Sequence, residues 1–283
     1  MRVVAFGDTG PDWQRDVARA ADAAGPAAVA FLGDITDSDA PRERRKAMRR
    51  WARDMAPVGD RLVAVPGNHD HEPDGALAVW TAAVRAAGGL PYAPGEGLTA
   101  RVGDLEIVGL GTGAGAHRPD PSALAVLRER IAREADPPRA RVAILHEPLV
   151  PSGAHIGRSL DAHPVERDAL ALDLARMDVR LVLCGHEHAY VRRTLAVPGS
   201  PGRELVQVTA GGGGAALDPN CWADVAVFES RHHVVTVDLL GDRLWIEAHD
   251  LDGALLDRFS IELGPASDPA GRRPPTPVHT PRG

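Results

Sequence analysis

The chain has 283 residues, 44% of them hydrophobic, which allows a globular enzyme with a sizeable core. Its formal net charge of −7 argues against binding to nucleic-acid phosphates, because such binding requires a concentrated excess of Lys and Arg. No apolar stretch reaches the roughly 20 residues of a membrane span, and the first eight residues leave no room for a signal peptide. We therefore expect a cytoplasmic protein with two free thiols and with neither a membrane nor a nucleic acid as partner.

Short aliphatic and β-branched runs alternate with helical patterns in the first part of the chain. Such alternation is typical of an α/β fold with parallel strands. The predicted strands are residues 3–6, 27–32, 62–65, 105–110, 142–145 and 181–184. The predicted helices, several of them opened by Pro or Asp, are residues 13–24, 41–55, 75–87, 121–135 and 164–176.

The pattern changes after Gly185, where strand-like runs follow one another with turns between them and no helix. Antiparallel sheet is the expected result for residues 204–209, 234–239, 243–248 and 255–261. Residues 264–283 are rich in Pro, Gly, Ser and Arg and cannot bury enough apolar surface to become ordered. The sequence therefore predicts one domain over residues 1–263 and a disordered tail.

Five polar blocks carry the carboxylate, amide and imidazole groups that hard metal ions bind. Nearly every block directly follows a predicted strand, so its side chains fall at the carboxyl end of the sheet, where open α/β folds place their sites. Glycine before each Asp, Asn or His allows a sharp turn. The blocks are GDTG at 7–10, GDITD at 33–37, GNHD at 67–70, the His of AILHEP at 143–148, and GHEH at 185–188.

Each block alone has an ordinary explanation. Gly-Asp after a strand is usually a turn with a helix-capping Asp, and Asn-His-Asp is usually a loop with local hydrogen bonds. The occurrence of all five in one chain, each at a strand end, favours a metal site instead. His186 and His188, two residues apart, are the strongest single indication.

The order of these blocks, from the N-terminal region to Tyr190, resembles that of the calcineurin-like metallophosphoesterase family. The resemblance implies an α/β fold, a four-layer αββα sandwich of two mixed β-sheets flanked by helices. Within this family, GDTG, GHEHAY and the later TAGGGG are similar to the purple acid phosphatase branch. The resemblance covers about two thirds of the chain.

The resemblance also implies a site for two divalent metal ions, with Mn, Zn, Fe and Mg as candidates. Asp34 would be the carboxylate that bridges them. His69 would face the substrate rather than a metal. The other implied ligands are Asp8 and His188 for one metal, and Asn68, His146 and His186 for the second.

The chain departs from the family patterns at two positions. The common pattern has a metal-binding His where this chain has Gly10, and the purple branch has a tyrosinate where this chain has Asp37. Asp37 could serve as an oxygen ligand, directly or through a water, or it could satisfy loop amides ahead of the helix that Pro41 opens. We expect it to take part in metal binding, and we expect a colourless or weakly coloured protein because the tyrosinate is missing.

Two further residues are candidates for catalysis. His155 aligns with a substrate-facing histidine of the family, and the alternative is a solvated loop histidine. Asp70 would orient His69 or a ligating histidine, and the alternative is a cap for its own loop. Ordinary structural or solvated roles are expected for His71, His117, His163, His232, His233, His249 and His279.

Two glycine-rich stretches imitate nucleotide-binding motifs. Gly109, Gly111 and Ala114 have the spacing of a dinucleotide fingerprint, but prolines interrupt the place where its helix must begin. Residues 211–214 are four glycines without the Lys of a P-loop. We expect these four glycines to allow close backbone approach near the site.

The implied reaction is hydrolysis of a phosphate ester by in-line attack of a metal-activated hydroxide, without a covalent enzyme intermediate. His69, together with His155, would stabilise the transition state or protonate the leaving oxygen. We expect a phosphomonoesterase whose substrate is a small phosphorylated metabolite or nucleotide. A phosphodiesterase, for example for cyclic nucleotides, and a noncatalytic binding scaffold are the alternatives. The basic run at residues 42–50 could steer an anionic substrate or be a solvated helix face.

Overall fold

The computed structural model describes residues 1–10, 12–38, 40–72, 77–112 and 116–264. Over these residues the chain forms two seven-stranded sheets, both mixed, together with five α-helices. This confirms the predicted α/β class with two mixed sheets. The predicted tail, apart from Gly264, lies outside the described residues, as do Ala114 and His279.

The strands are short, and the apolar ones of the first part are almost wholly buried. In chain order they are β1 (Arg2–Phe6), β2 (Ala28–Phe31), β3 (Leu62–Ala64), β4 (Leu90–Pro91), β5 (Leu98–Val102), β6 (Leu105–Gly109), β7 (Ala140–Ile144), β8 (Val179–Cys184), β9 (Tyr190–Ala196), β10 (Glu204–Ala210), β11 (Val227–Glu229), β12 (His233–Leu240), β13 (Arg243–Asp250) and β14 (Leu255–Glu262). All the strands predicted for the first part form within two residues of their expected bounds.

Each sheet combines a parallel core with antiparallel edges. The first sheet has the order β14-β13-β12-β1-β2-β3-β4, with β1 to β4 parallel. The second has the order β11-β9-β10-β8-β7-β6-β5, with β6, β7, β8 and β10 parallel. The expectation of purely antiparallel pairing after residue 185 is wrong for β10, because β9 lies on the far side of β10 and leaves β10 beside β8.

The helices agree with the predicted ones, although the third begins at Ala78. They are α1 (Gln14–Ala23), α2 (Pro41–Met55), α3 (Ala78–Ala87), α4 (Pro121–Ala132) and α5 (Pro164–Arg176). Helices α1 and α3 pack against the first sheet, and α2 packs against both of them and contacts β2 through Trp51 and Phe31. Helix α5 packs against β8 and β10 of the second sheet. Among the described residues, no helix combines the length and the apolar character needed to span a membrane.

The strand register brings the polar blocks to one edge. In the first sheet Phe6 pairs with Phe31, and Phe31 pairs with Ala64, so β1, β2 and β3 end at the same level. In the second sheet β7 and β8 end together, with Ile144 beside Leu183. Because parallel strands share a carboxyl edge, the five loops that follow these strands open side by side.

Candidate metal centre

Three of the predicted ligands have a left-handed backbone, which non-glycine residues seldom adopt and which clusters at functional sites. The φ angles are 60° at Asp8, 56° at Asp34 and 73° at His186. Backbone hydrogen bonds hold the first two loops together, because Asp8 N donates to Gly33 O at 2.9 Å and Thr9 N donates to Asp34 O at 2.9 Å. The two buried carboxylates are therefore fixed relative to each other.

Asn68, His146 and His186 converge on one point. Asn68 Oδ1 lies 3.0 Å from His146 Nε2 and 2.9 Å from His186 Nδ1. The two ring nitrogens are 3.3 Å apart. Three electron-rich atoms at such distances repel one another unless a proton or a cation lies between them. The second metal's predicted ligands are thus brought together by the fold.

The predicted histidine ligands each donate one ring N–H to a backbone carbonyl. A carbonyl oxygen only accepts, so that nitrogen carries a proton, and a bound metal would take the place of any proton on the other nitrogen. All three donor sets therefore fit metal ligation. The hydrogen bonds are His146 Nδ1 to Leu32 O at 2.8 Å, His186 Nε2 to Arg158 O at 3.0 Å, and His188 Nδ1 to Ala216 O at 2.8 Å.

Asp34 lies where two groups of ligand atoms meet. One group is Asp34, His146 and His186, the other is Asp34, Asp37 and His69, and within each group the ligand atoms lie within 4.8 Å of one another. Asp34 Oδ2 is 3.2 Å from His146 Nε2, and Asp34 Oδ1 accepts the backbone N–H of His69 at 2.9 Å. A carboxylate shared by two groups is what a bridging ligand requires.

Asp8 and His188 form a looser pair. His188 Nε2 lies 3.6 Å from Asp8 Oδ1, and both Asp8 oxygens accept the backbone N–H of His186 at 3.0 Å. Among the described residues, Asp8, His188 and Asp34 do not form a group whose ligand atoms all lie within 4.8 Å of one another. The exposed Asp37 does form such a group with Asp34 and His69. The structure therefore brings Asp37 within reach of the Asp34 carboxylate.

Opposite charges and burial shift the pKa values of these groups. Burial raises the pKa of Asp8 well above its usual range. Burial alone would raise the pKa of Asp34, but His146 and His69 hold it below its usual value. Burial alone would lower the pKa of His146, yet the Asp34 carboxylate reverses this and raises it to about 10. Burial and the neighbouring His146 lower the pKa of His186.

The His146 shift predicts how the stability of the chelated protein depends on pH. Its pKa is about 10 in the folded protein against 6.5 for an unperturbed histidine, so its stabilisation is complete below pH 6.5 and is lost as the pH rises towards 10. Asp8 acts in the same direction, because ionising a buried carboxyl opposes folding. The melting temperature in a chelator should fall across this range, and His146→Asn should flatten the decline. A melting temperature that rises with pH would contradict the assignment.

Asp70 is a buried clamp between two loops. Its carboxylate accepts the backbone N–H groups of Gly67 at 2.8 Å, Asp34 at 2.8 Å and Ile35 at 3.0 Å. These contacts match the alternative in which Asp70 caps its own loop, the one after β3. The same carboxylate also binds the loop after β2. Asp70 therefore helps to hold the backbone of Asp34.

His155 packs against a predicted ligand. Its ring centroid is 4.1 Å from that of His186, and the side chain is half-buried. Burial lowers the pKa of the His155 ring. The structure thus places the His155 ring against a candidate ligand, on a turn whose neighbouring residues Ala154 and Ile156 are exposed.

Sequence reasoning missed two buried glutamates beside the ligands. Glu187 accepts hydrogen bonds from Ser152 N at 2.7 Å and Ser152 Oγ at 2.8 Å, which ties the loop after β7 to the GHEH block. Glu147 Oε2 lies 3.1 Å from Nδ1 of His117, a histidine expected to have an ordinary role. The available signal for both was their place in the polar blocks, because each glutamate directly follows a predicted histidine ligand.

The basic run of residues 42–50 lies on α2, and one of its members faces inward. Arg44 is only 7% exposed, and its guanidinium donates to the backbone oxygens of Ser38 and His71. Ser38 and His71 directly follow the second and third polar blocks. Arg44 therefore braces two loops of the centre, whereas most of the other basic residues of the run are exposed.

The structure gives a physical reason for Gly10. A Cβ at this position would lie 2.2 Å from Gly214 O, so the histidine of the common family pattern would require the backbone to move. Both tyrosines of the chain are engaged with other carboxylates. Tyr190 Oη donates to Asp257 at 2.7 Å, and Tyr92 Oη donates to Asp120 at 2.6 Å.

The four glycines at 211–214 approach neighbouring backbone closely, as expected. A Cβ on Gly211 would lie 2.1 Å from Glu187 O, and one on Gly213 would lie 2.1 Å from Gly7 O. These contacts confirm the prediction that the stretch permits close packing beside the polar blocks. A side chain at Gly211 or Gly213 would push the GHEH or GDTG loop out of place.

Comparison with known proteins agrees with this geometry. The sequence profile described as Calcineurin-like phosphoesterase matches residues 1–190. A comparison with curated proteins found no significant match.

Similar solved structures share the fold at low sequence identity. Purple acid phosphatase PPD1 from yellow lupin has a TM-score of 0.72 and 17% identity, over 99% of this chain and 57% of that one. GAP50, the anchor in the inner membrane complex of Plasmodium, has a TM-score of 0.67 and 12% identity, over 100% and 99% of the two chains. A putative 5′-nucleotidase from Staphylococcus aureus has a TM-score of 0.51 and 11% identity, over 93% and 54%. The chain therefore spans little more than half of the lupin enzyme.

Proposed function

Because the chain belongs to the calcineurin-like phosphoesterase family, we propose that it is a metal-dependent hydrolase of phosphate monoesters with a dinuclear centre. The observation that carries the proposal is the convergence of an amide oxygen and two ring nitrogens, those of Asn68, His146 and His186, beside a buried carboxylate, that of Asp34. The Asp37 carboxylate, which lies within 4.8 Å of that of Asp34, supports a second ion. The substrate we propose is a small phosphorylated metabolite or nucleotide.

The donor set suits hard or borderline divalent ions, since it mixes carboxylate oxygen, amide oxygen and imidazole nitrogen. Two bound ions would supply an activated water near neutral pH and neutralise charge on the phosphoryl oxygens. We propose one site at Asn68, His146 and His186, and a second at Asp8, Asp37 and His188. Asp34 would serve both sites.

Three groups of the chain would act on the substrate or on the loops around it. We assign to His69 the stabilisation of charge on the phosphoryl oxygens or protonation of the leaving oxygen, because its ring lies within 4.8 Å of Asp34 and Asp37. His155 would assist from its place against His186. Asp70 would hold the loop of Asp34 rigid through the three backbone hydrogen bonds described above.

The test is parallel turnover of p-nitrophenyl phosphate and its bis ester by protein reconstituted with Mn, Zn, Fe or Mg. We expect the monoester to be hydrolysed with the higher kcat/KM, and we expect chelation to abolish activity. Faster hydrolysis of the bis ester would make the protein a phosphodiesterase. Activity on neither ester, with metal bound, would indicate a binding scaffold.

A further inference from the structure

The loop of residues 211–226 joins β10 to β11 and contains neither helix nor strand. Irregular loops longer than about 12–15 residues are uncommon in compact domains and usually serve a function. This loop begins at the glycines that pack on the GDTG and GHEH blocks. The first residues of the loop therefore lie next to the candidate metal centre.

Hydrogen bonds fasten the loop to both sides of the centre. At one side His188 donates its backbone N–H to Asp218 Oδ2 at 2.8 Å and its Nδ1–H to Ala216 O at 2.8 Å. At the other side Trp222 N donates to Ser152 O at 2.8 Å. Ser152 in turn donates to Glu187, between the two histidines of the GHEH block. The loop is thus hydrogen-bonded to two segments that adjoin the candidate ligands.

Trp222 stands out on this loop because it is 67% exposed, although large aromatic side chains are usually buried or bound to something. The other tryptophan near the loop, Trp13, packs its ring 5.0 Å from that of His232. Within the described residues, the Trp222 ring makes no such ring contact. An exposed indole, on a loop that is hydrogen-bonded to the candidate metal centre, suits stacking of a flat ring, and stacking accepts any base or aryl group.

Resting on the proposed function, we propose that Trp222 is a stacking platform for an aromatic ring in the alcohol part of the phosphate ester. The substrate class is then nucleoside or aryl phosphates rather than phosphates of aliphatic alcohols. The metals and His69 would hold the phosphate, while Trp222 would select the group attached to it.

The experiment compares two substrates that differ by the base alone, adenosine 5′-monophosphate and ribose 5-phosphate. The variants are Trp222→Ala, Trp222→Phe and the control Trp245→Ala. Trp245 is 39% exposed and lies on β13, where it pairs with Asp238 of β12. Asp238 pairs with Arg2 at the start of β1, whereas the candidate centre follows the end of β1. Thermal unfolding checks that each variant is folded.

We expect Trp222→Ala to lower kcat/KM for the nucleotide by about 5- to 100-fold, the usual effect of removing one stack, and to leave that for ribose 5-phosphate unchanged. Trp222→Phe should retain most of the preference, and Trp245→Ala should behave like the unchanged protein. Equal losses on both substrates, or no loss on the nucleotide, would overturn the proposal.

Failure of the proposed function has a different signature. If the metal-loaded protein hydrolyses neither compound, dissociation constants for the same pair can be measured by calorimetry because nothing is turned over. If the nucleotide binds more tightly than ribose 5-phosphate and Trp222→Ala removes this difference, the stacking platform would be supported although no ester is hydrolysed. Equal binding of the two compounds, or binding of neither, would refute it.

Discussion

Asp34→Asn should remove both metal ions and lower kcat by about 10³-fold or more, since the loss of a bridging carboxylate removes several kcal/mol of charge stabilisation from each site. The asparagine keeps the size of the side chain and an oxygen that can accept the His69 N–H. Its amide replaces the negative oxygen that lies 3.2 Å from His146 Nε2. Elemental analysis after reconstitution at neutral pH measures the metal content directly.

Asp60→Asn is the matched control for this substitution, because the Asp60 side chain is 84% exposed and lies on the helical turn before β3. This variant should keep two ions per chain and full activity. Loss of a single ion from Asp34→Asn would assign Asp34 to one site only. A stoichiometry that never exceeds one in the unchanged protein would disprove the dinuclear centre.

His69→Ala should lower kcat by about 10²–10⁴-fold while leaving the metal content intact, as expected of a group that acts on the transition state. The contact between His69 and Asp34 that the structure shows at 2.9 Å uses the backbone N–H, so the alanine variant retains it.

Asn68→Ala provides the opposite result at the neighbouring position. It removes the oxygen that lies 3.0 Å from His146 Nε2 and 2.9 Å from His186 Nδ1, so metal affinity should fall. Excess metal should then restore part of the activity. A His69 variant that loses a metal, beside an Asn68 variant that does not, would show that the two roles are exchanged.

The sequence predicted the strands and the blocks that follow them because both depend on local chemistry. A run such as residues 3–6 has few alternatives to a buried strand, and the glycine before Asp8 or Asp34 marks a turn. β5 and β9 were missed, since their half-exposed residues carry no clear apolar alternation. Their pairing partners, rather than their own sequence, make them strands.

The centre was predictable in its ligand types but not in its supports. The His-x-His spacing points to metal from sequence alone. By contrast, Asp218 lies in a loop with no motif, yet it accepts a hydrogen bond from His188 across 30 positions. Asp70 similarly reaches Asp34 across 36 positions. Such contacts are set by the packing of distant segments, which a local reading of the sequence does not contain.

The division of the ligands between the two sheets has a consequence for synthesis on the ribosome. Asn68 meets His146 across 78 positions of the chain, so the carboxylate-rich half is made well before the histidine-rich half. Because β12 pairs with β1, the first sheet also stays incomplete until residues 233–240 have been synthesised. A nascent chain therefore presents Asp8, Asp34 and Asn68 before the candidate histidine ligands, and metal binding by the full proposed set would have to follow synthesis of the second sheet.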